Sequence, residues 1–150
     1  TIADRKAQFD LSMKLYNMFS DMTNSVARIN SVRLALNERA AAATDPGLKA
    51  RLLGASAAVD DLRRRIVATK EGGAITGEER LREFLSNLYG DVNGYEGRPS
   101  RIQEERADSI GRELGDVNKS FNDWAGTQLQ SINTALMAAK LEPVVLPPAN

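Results

Sequence analysis

From Thr1 to Thr44 the chain contains neither Gly nor Pro, and within that stretch Leu11, Leu15, Met18, Met22, Ser25, Ile29, Val32 and Leu36 recur at alternating steps of four and three. Residues so spaced share one side of an α-helix, because about 3.6 residues complete each turn. A strand would instead place apolar residues at every second position. The stretch therefore predicts one helix of about 40 residues, roughly 60 Å long, with a narrow apolar seam interrupted only by Ser25. Such a seam must be covered by other elements, and because no strand pattern of any length competes along the rest of the chain, the predicted class is all-α.

The remaining segments repeat the pattern. Thr44-Asp45-Pro46-Gly47 breaks the first helix, with Asp45 suited to N-cap a second and Pro46 to its first turn. The short connection predicts an antiparallel return through Lys70, with Leu48, Leu52, Ala55, Val59, Leu62 and Ile66 inward. Gly54 beside Ala55, Ala57 and Ala58 predicts a close approach of a neighbouring helix. Gly72-Gly73 ends this helix, and Thr76 with Glu79 reads as a capping box for a third, whose apolar face is Leu81, Phe84, Leu85, Leu88 and Val92. Gly90, Gly94 and Gly97 keep it short. Ser100 with Gln103 forms a second capping box, opening a helix to about Lys140 with Ile102, Ile110, Leu114, Val117, Phe121, Trp124, Leu129, Ile132 and Leu136 along its seam. From Leu141 the run Leu141-Glu142-Pro143-Val144-Val145-Leu146-Pro147-Pro148 is too rich in proline for helix. The prediction is an up-down four-helix bundle over residues 1–140, with two long helices, one medium and one short, and an extended tail over 141–150 that packs on the bundle or links onward.

Composition narrows the chemistry. The 150 residues include no His and no Cys, which removes Ser/His and Cys/His nucleophile pairs, Cys- or His-ligated zinc, His-bound haem and disulfides. No cofactor is expected. With 20 basic and 20 acidic residues the net charge is zero, so no overall field draws the chain to nucleic acid or anionic lipid. The basic excess of residues 1–75 and the acidic excess of 76–150 fit complementary helix faces. No run approaches the ~18 apolar residues of a membrane span. A chain starting with Thr reads as a processed product or an excised piece, and the absence of Cys fits any compartment.

Each candidate site has a structural reading beside it. Arg63-Arg64-Arg65 is the densest basic run, yet consecutive helical residues point about 100° apart and make no single patch. The acid pairs Asp60/Asp61, Glu78/Glu79 and Glu104/Glu105, and Glu104 with Asp108 at i, i+4, lack the His that a di-iron bundle uses, so no metal site is assigned. Glu78/Glu79 suits a helix N-terminus, where negative charge opposes the dipole. Two carboxylates facing one cleft would suffice for a glycosidase, but sugar sites favour aromatic platforms, and Phe9, Phe19, Phe121 and Trp124 fall on or beside helix seams. Tyr89 and Tyr95, in the Gly-rich stretch between helices, together with Arg63 and Arg64, are the candidate surface contacts. Asp91-Val92-Asn93-Gly94-Tyr95 lacks the remaining ligands of a calcium loop.

Gln8-Phe9-Asp10-Leu11 opening a long helix, Arg80-Leu81-Arg82-Glu83-Phe84-Leu85-Ser86-Asn87-Leu88-Tyr89 leading to Gly97-Arg98-Pro99-Ser100, and a helix carrying Phe121-Asn122 before Leu141-Glu142-Pro143-Val144 form one further pattern. This order resembles the helical C-terminal region of large bacterial proteins with sortilin-like β-propellers of BNR (Asp-box) repeats, commonly labelled glycosyl hydrolases. The resemblance covers nearly the whole chain. It implies a C-terminal module of a longer, periplasmic or extracellular protein, packing on its own propeller or on another chain. It transfers no catalytic residue, because the Asp-box pattern is absent and Asn122-Asp123-Trp124 does not match it. The expectation is a non-catalytic structural or protein-interaction module. The alternatives are a stand-alone oligomeric adaptor or sensor bundle and, more remotely, a carboxylate glycosidase. If the first seam is right, Leu15→Ala or Ile29→Ala lowers the unfolding free energy by ~2–5 kcal/mol in urea titrations, and a loss below about 1 kcal/mol at both would refute it.

Overall fold

A computed structural model describes residues 1–70 and 77–149. These residues form α1 (Ile2–Ala42), α2 (Pro46–Ile66), α3 (Leu81–Asn93), α4 (Arg101–Trp124) and α5 (Gln130–Ala138), with a π-helical turn at Ala125–Leu129 joining the last two. No strand occurs among the described residues, and the chain is an all-α helical bundle. It divides into two compact units, Thr1–Thr23 with Arg64–Asp116 and Asn24–Arg63 with Val117–Asn150.

All eight members of the α1 seam are buried, none more than 8% exposed. Leu11, Leu15, Met18 and Met22 serve the first unit, packed among Leu81, Leu85, Leu88 and Val92 of α3 and Ala107, Ile110 and Leu114 of α4. Polar contacts on α1 complete the attachment. The Gln8 side-chain amide donates to the carbonyls of Val92 (2.8 Å) and Tyr95 (2.6 Å), holding the C-terminal end of α3, and Ser12 Oγ donates to Asn93 Oδ1 at 3.0 Å. Lys14 Nζ meets Asp108 Oδ1 at 2.5 Å, and that ammonium holds the Asp108 carboxyl below its ordinary range.

Ser25, Ile29, Val32, Leu36 and Ala40 serve the second unit, with Leu52, Ser56 and Val59 of α2 and Val117, Phe121, Ala125, Leu129, Ile132 and Leu136 of the last helices. The single polar member of the seam is satisfied, since Ser25 Oγ donates to Asn118 Oδ1 at 2.7 Å. Asp60 links α2 to α1. It accepts from Arg63 Nε at 2.7 Å and lies 3.7 Å from Arg33 Nε.

The helix starts follow local chemistry. Asp45 Oδ2 accepts from the Leu48 amide at 2.7 Å, and Ser100 and Gln103 exchange both capping-box bonds, at 2.8 and 3.2 Å. The third start differs from expectation. Thr76 lies outside the described residues, α3 begins at Leu81, and its cap is the Arg80 amide donating to Glu83 Oε2 at 2.9 Å. Glu79 thus precedes the N-cap of α3, and the N3 position belongs to Glu83. The end of α2 also falls earlier than Lys70, at Ile66, because the next residues are drawn out of the helix to meet Glu78.

The π turn is a consequence of spacing. Ala107, Ile110, Leu114, Val117 and Phe121 advance by three and four alternately, but from Phe121 to Leu129 the step is eight residues where seven would hold the register. One extra residue in an unbroken α-helix would turn Leu129 about 100° off the core. Widening one turn absorbs it, and Ala125 and Leu129 both stay buried.

The tail belongs to the second unit. Lys140 adopts a left-handed conformation (φ 60°), while the Leu141 amide donates to the Leu136 carbonyl (2.9 Å) and the Lys140 amide to that of Met137 (3.0 Å), a Schellman closure that turns the chain back. Val144 is buried and exchanges two hydrogen bonds with the Asn133 amide, at 2.7 and 2.9 Å. Arg39 Nε donates to the Glu142 carbonyl and Arg28 Nε to that of Pro147, at 2.9 and 3.0 Å. From Arg39 back to Arg28 on a helix, and from Glu142 to Pro147 in extended chain, are both spans of about 16 Å. The tail accordingly runs antiparallel to α1.

Several side chains expected inside are outside. Phe9 is 63% exposed, Phe84 46% and Ile102 68%. Gly54 makes no close helix approach, for a Cβ there would meet nothing within 4 Å. Two single deletions should therefore behave differently. Removing Gly126 restores the seven-residue step and should leave a cooperatively folded helical protein by circular dichroism melting. Removing the equally exposed Gly115 swings Val117 and Phe121 off the core and should cost more than about 2 kcal/mol.

Candidate interaction surface

In the first unit α3 and α4 are joined by Gly94–Ser100, a short link that returns α4 antiparallel along α3. Between them lies a groove of about 350 Å³. Leu81, Leu88 and Ile110 form its apolar floor, and Phe84 stands at its side. Phe84 is there because the buried stripe of α3 is Leu81, Leu85, Leu88 and Val92, at steps of four, three and four, and Phe84 is one position out of phase. Charge lines the rest of the groove. Glu79 precedes α3, while Arg106 and Glu113 lie seven residues apart on α4 with Ser109 between them. None of these three ionised groups makes a hydrogen bond or ion pair among the described residues.

A second groove, of about 320 Å³, lies in the other unit. Gly54, Ala55 and Ala58 of α2 form one wall, and Trp124 and Ile132 the other. Trp124 stacks on Phe121 (centroids 6.2 Å, planes 12° apart), and the Arg28 guanidinium lies 5.4 Å from the centre of the Phe121 ring. Two of the aromatics read as seam residues thus form a cation-capped stack, with Phe121 buried and Trp124 half-buried at the groove.

The residues singled out in the sequence as surface contacts are scattered. Tyr89 is inside α3, half-buried, with its ring edge-on to Phe19 at 5.9 Å. Tyr95 is in the loop, 71% exposed, its ring lying so close over Gly97 that a Cβ there would come within 2.6 Å of Tyr95 Cε1. Arg63 is committed to Asp60, and Arg64, exposed on the same helix, also has a partner. Neither of these arginines and neither tyrosine lines either groove. Sequence reasoning passed over Arg106 and Glu113, and the signal available was their seven-residue spacing on a predicted exposed face. No group of three acidic residues placed to hold a metal ion occurs among the described residues. Asn93, in the weak calcium-like run, spends its side chain on Ser12 and on the Tyr89 carbonyl.

Beside the α3–α4 groove, Glu78 fastens the chain on both sides. Its carboxylate accepts from the Thr69 amide at 3.0 Å, from the Lys70 amide at 3.4 Å and from the Arg80 guanidinium. These bonds favour the ionised form, the Thr69 amide most strongly, and pull the Glu78 carboxyl down to about 2. The carboxylates of Asp4 and Asp108 are also lowered, each by a hydrogen bond from its neighbour, Thr1 and Lys14 respectively. Compared with known proteins, the chain matches no family model, no curated protein and no solved structure.

Because Glu78 holds its proton less tightly folded than unfolded, its stabilising bonds are complete above its ordinary value of 4.5 and are lost as the pH falls through about 2. Glu78→Gln should therefore flatten part of the acid limb of the stability profile between about pH 4.5 and 2, with little change of slope near neutrality, as followed by urea midpoints across pH.

Proposed function

We propose that this chain is a non-catalytic helical module whose work is structural and whose contacts are with protein. The observation that carries the reading is the α3–α4 groove, where an apolar floor and the 46% exposed ring of Phe84 adjoin three charged side chains that make no ion pair within the described chain. Surfaces of this composition suit a protein partner, because an apolar centre supplies affinity while the flanking charges select orientation. A carboxylate enzyme gains little support from Asp4, Glu78 and Asp108, whose carboxyls are each shifted downward, away from what a general acid requires. Placement as the C-terminal domain of an exported, propeller-bearing protein rests on the sequence resemblance alone.

A module of this kind keeps its own core. The apolar seams of α1 and α4 are covered by helices of the same chain, so secondary structure should not depend on association. Far-ultraviolet circular dichroism should give a constant helix content over dilution on the order of a thousandfold, with a single cooperative melt. Helicity that falls on dilution would instead mean that the seams are completed between chains, and would overturn the reading.

A further inference from the structure

We infer that the α3–α4 groove receives a second copy of this chain, with α4 packed antiparallel on its counterpart about a two-fold axis near Ser109 and Ile110. The inference rests on the interaction-module reading and names its partner. Its basis is the arrangement of exposed residues on α4. Ile102, Arg106, Ser109 and Glu113 follow one another at steps of four, three and four, a second seam beside the buried one. Ile102 is 68% exposed, and Arg106 and Glu113 have no ionic partner in the described chain. Residues so spaced make one stripe, and Arg106 and Glu113 are separated along it by about 10 Å, two helical turns.

A two-fold axis exchanges the two halves of that stripe. With α4 antiparallel to its counterpart and centred between Ser109 and Ile110, each Arg106 faces Glu113 of the second copy, and the contact occurs twice. Glu79, on the same groove, adds a second carboxylate for the incoming guanidinium. Ser109 is small enough for close helix approach at the centre, while Phe84 supplies exposed apolar surface beside it. Other occupants fit less well. A uniformly basic segment would set its charges against Arg106, and a uniformly acidic one would face Glu79 and Glu113. The bipolar order of charge matches the groove's own helix reversed.

The test is the solution mass of the full chain by sedimentation velocity across concentration, with helicity followed in parallel. Wild type should pass from monomer to dimer while its helix content stays constant. Arg106→Glu places acid against acid at both contacts, and Glu113→Arg places base against base, so each alone should weaken dimerisation at least about tenfold. The double variant Arg106→Glu/Glu113→Arg should dimerise again. An equimolar mixture of the two single variants should also form a heterodimer, because each then offers the charge that the other lacks. Circular dichroism melts of the single variants show that they fold, and recovery on mixing cannot arise from unfolded protein. A wild type that stays monomeric at every concentration, swaps without effect, or single variants that fail to recover on mixing would each overturn the inference. A monomer of constant helicity would do so while leaving the module reading intact, whereas helicity lost on dilution would strike the module reading itself.

Discussion

The fold depends on the burial of one continuous stripe on α1. Its eight positions from Leu11 to Leu36 are all withdrawn from water, and the same helix supplies core residues to both compact units. Burying an aliphatic side chain of this size is worth about 1.5–3 kcal/mol, so a stripe of seven apolar members is the largest single source of stability that one element contributes. Ser25 tests the stringency of that arrangement. Its hydroxyl is tolerated in the stripe because Asn118 is placed to accept its hydrogen bond, which avoids the cost of a buried unpaired polar group.

Keeping such a stripe in register makes demands on the partners, and the last helix meets them by changing geometry. Phe121 and Leu129 both have to face the core, but eight residues separate them, and the π turn at Ala125–Leu129 accommodates the surplus. The same unit then holds its tail through the buried Val144 side chain and through directed polar contacts. Asn133 serves both backbone groups of Val144 in the manner of a neighbouring strand, and Arg39 and Arg28 hold the carbonyls of Glu142 and Pro147. A proline-rich segment suits this role, because its backbone has few N–H groups to satisfy and little conformational freedom to lose.

The functional reading turns on what the core leaves over. The buried stripe of α3 is only four residues wide in sequence terms, Leu81, Leu85, Leu88 and Val92, and Phe84 falls beside it at the groove. Several other charged side chains on the helix surfaces pair along their own helix, such as Lys6 with Asp10, Arg101 with Glu105 and Lys119 with Asp123. Those are one-turn pairs that a single helix satisfies by itself. Arg106 and Glu113 are two turns apart and cannot satisfy each other, which is why the groove between α3 and α4 keeps uncompensated charge of both signs.

By itself, the sequence determined the all-α class, the seam of α1, the caps at Asp45 and Ser100 and the break at Leu141. Each of these is a local property: helical period, a side-chain oxygen three residues from an amide, or a ring that removes an N–H. The eight-residue step that produces the π turn was also present in the sequence as a count. Local pattern could not separate Phe84 and Ile102 from truly buried neighbours, since one step of phase around a helix divides core from surface and the partner helices decide where that boundary falls. It likewise placed Tyr89 in a loop when that ring packs on Phe19, and left Arg63 free when it is bound to Asp60. The attachment of the tail, the Glu78 bridge and the α3–α4 groove were decided only by tertiary structure, because each joins residues that no sequence spacing relates. Val144 meets Asn133, and Arg106 shares a groove with Glu79, through the packing of whole helices.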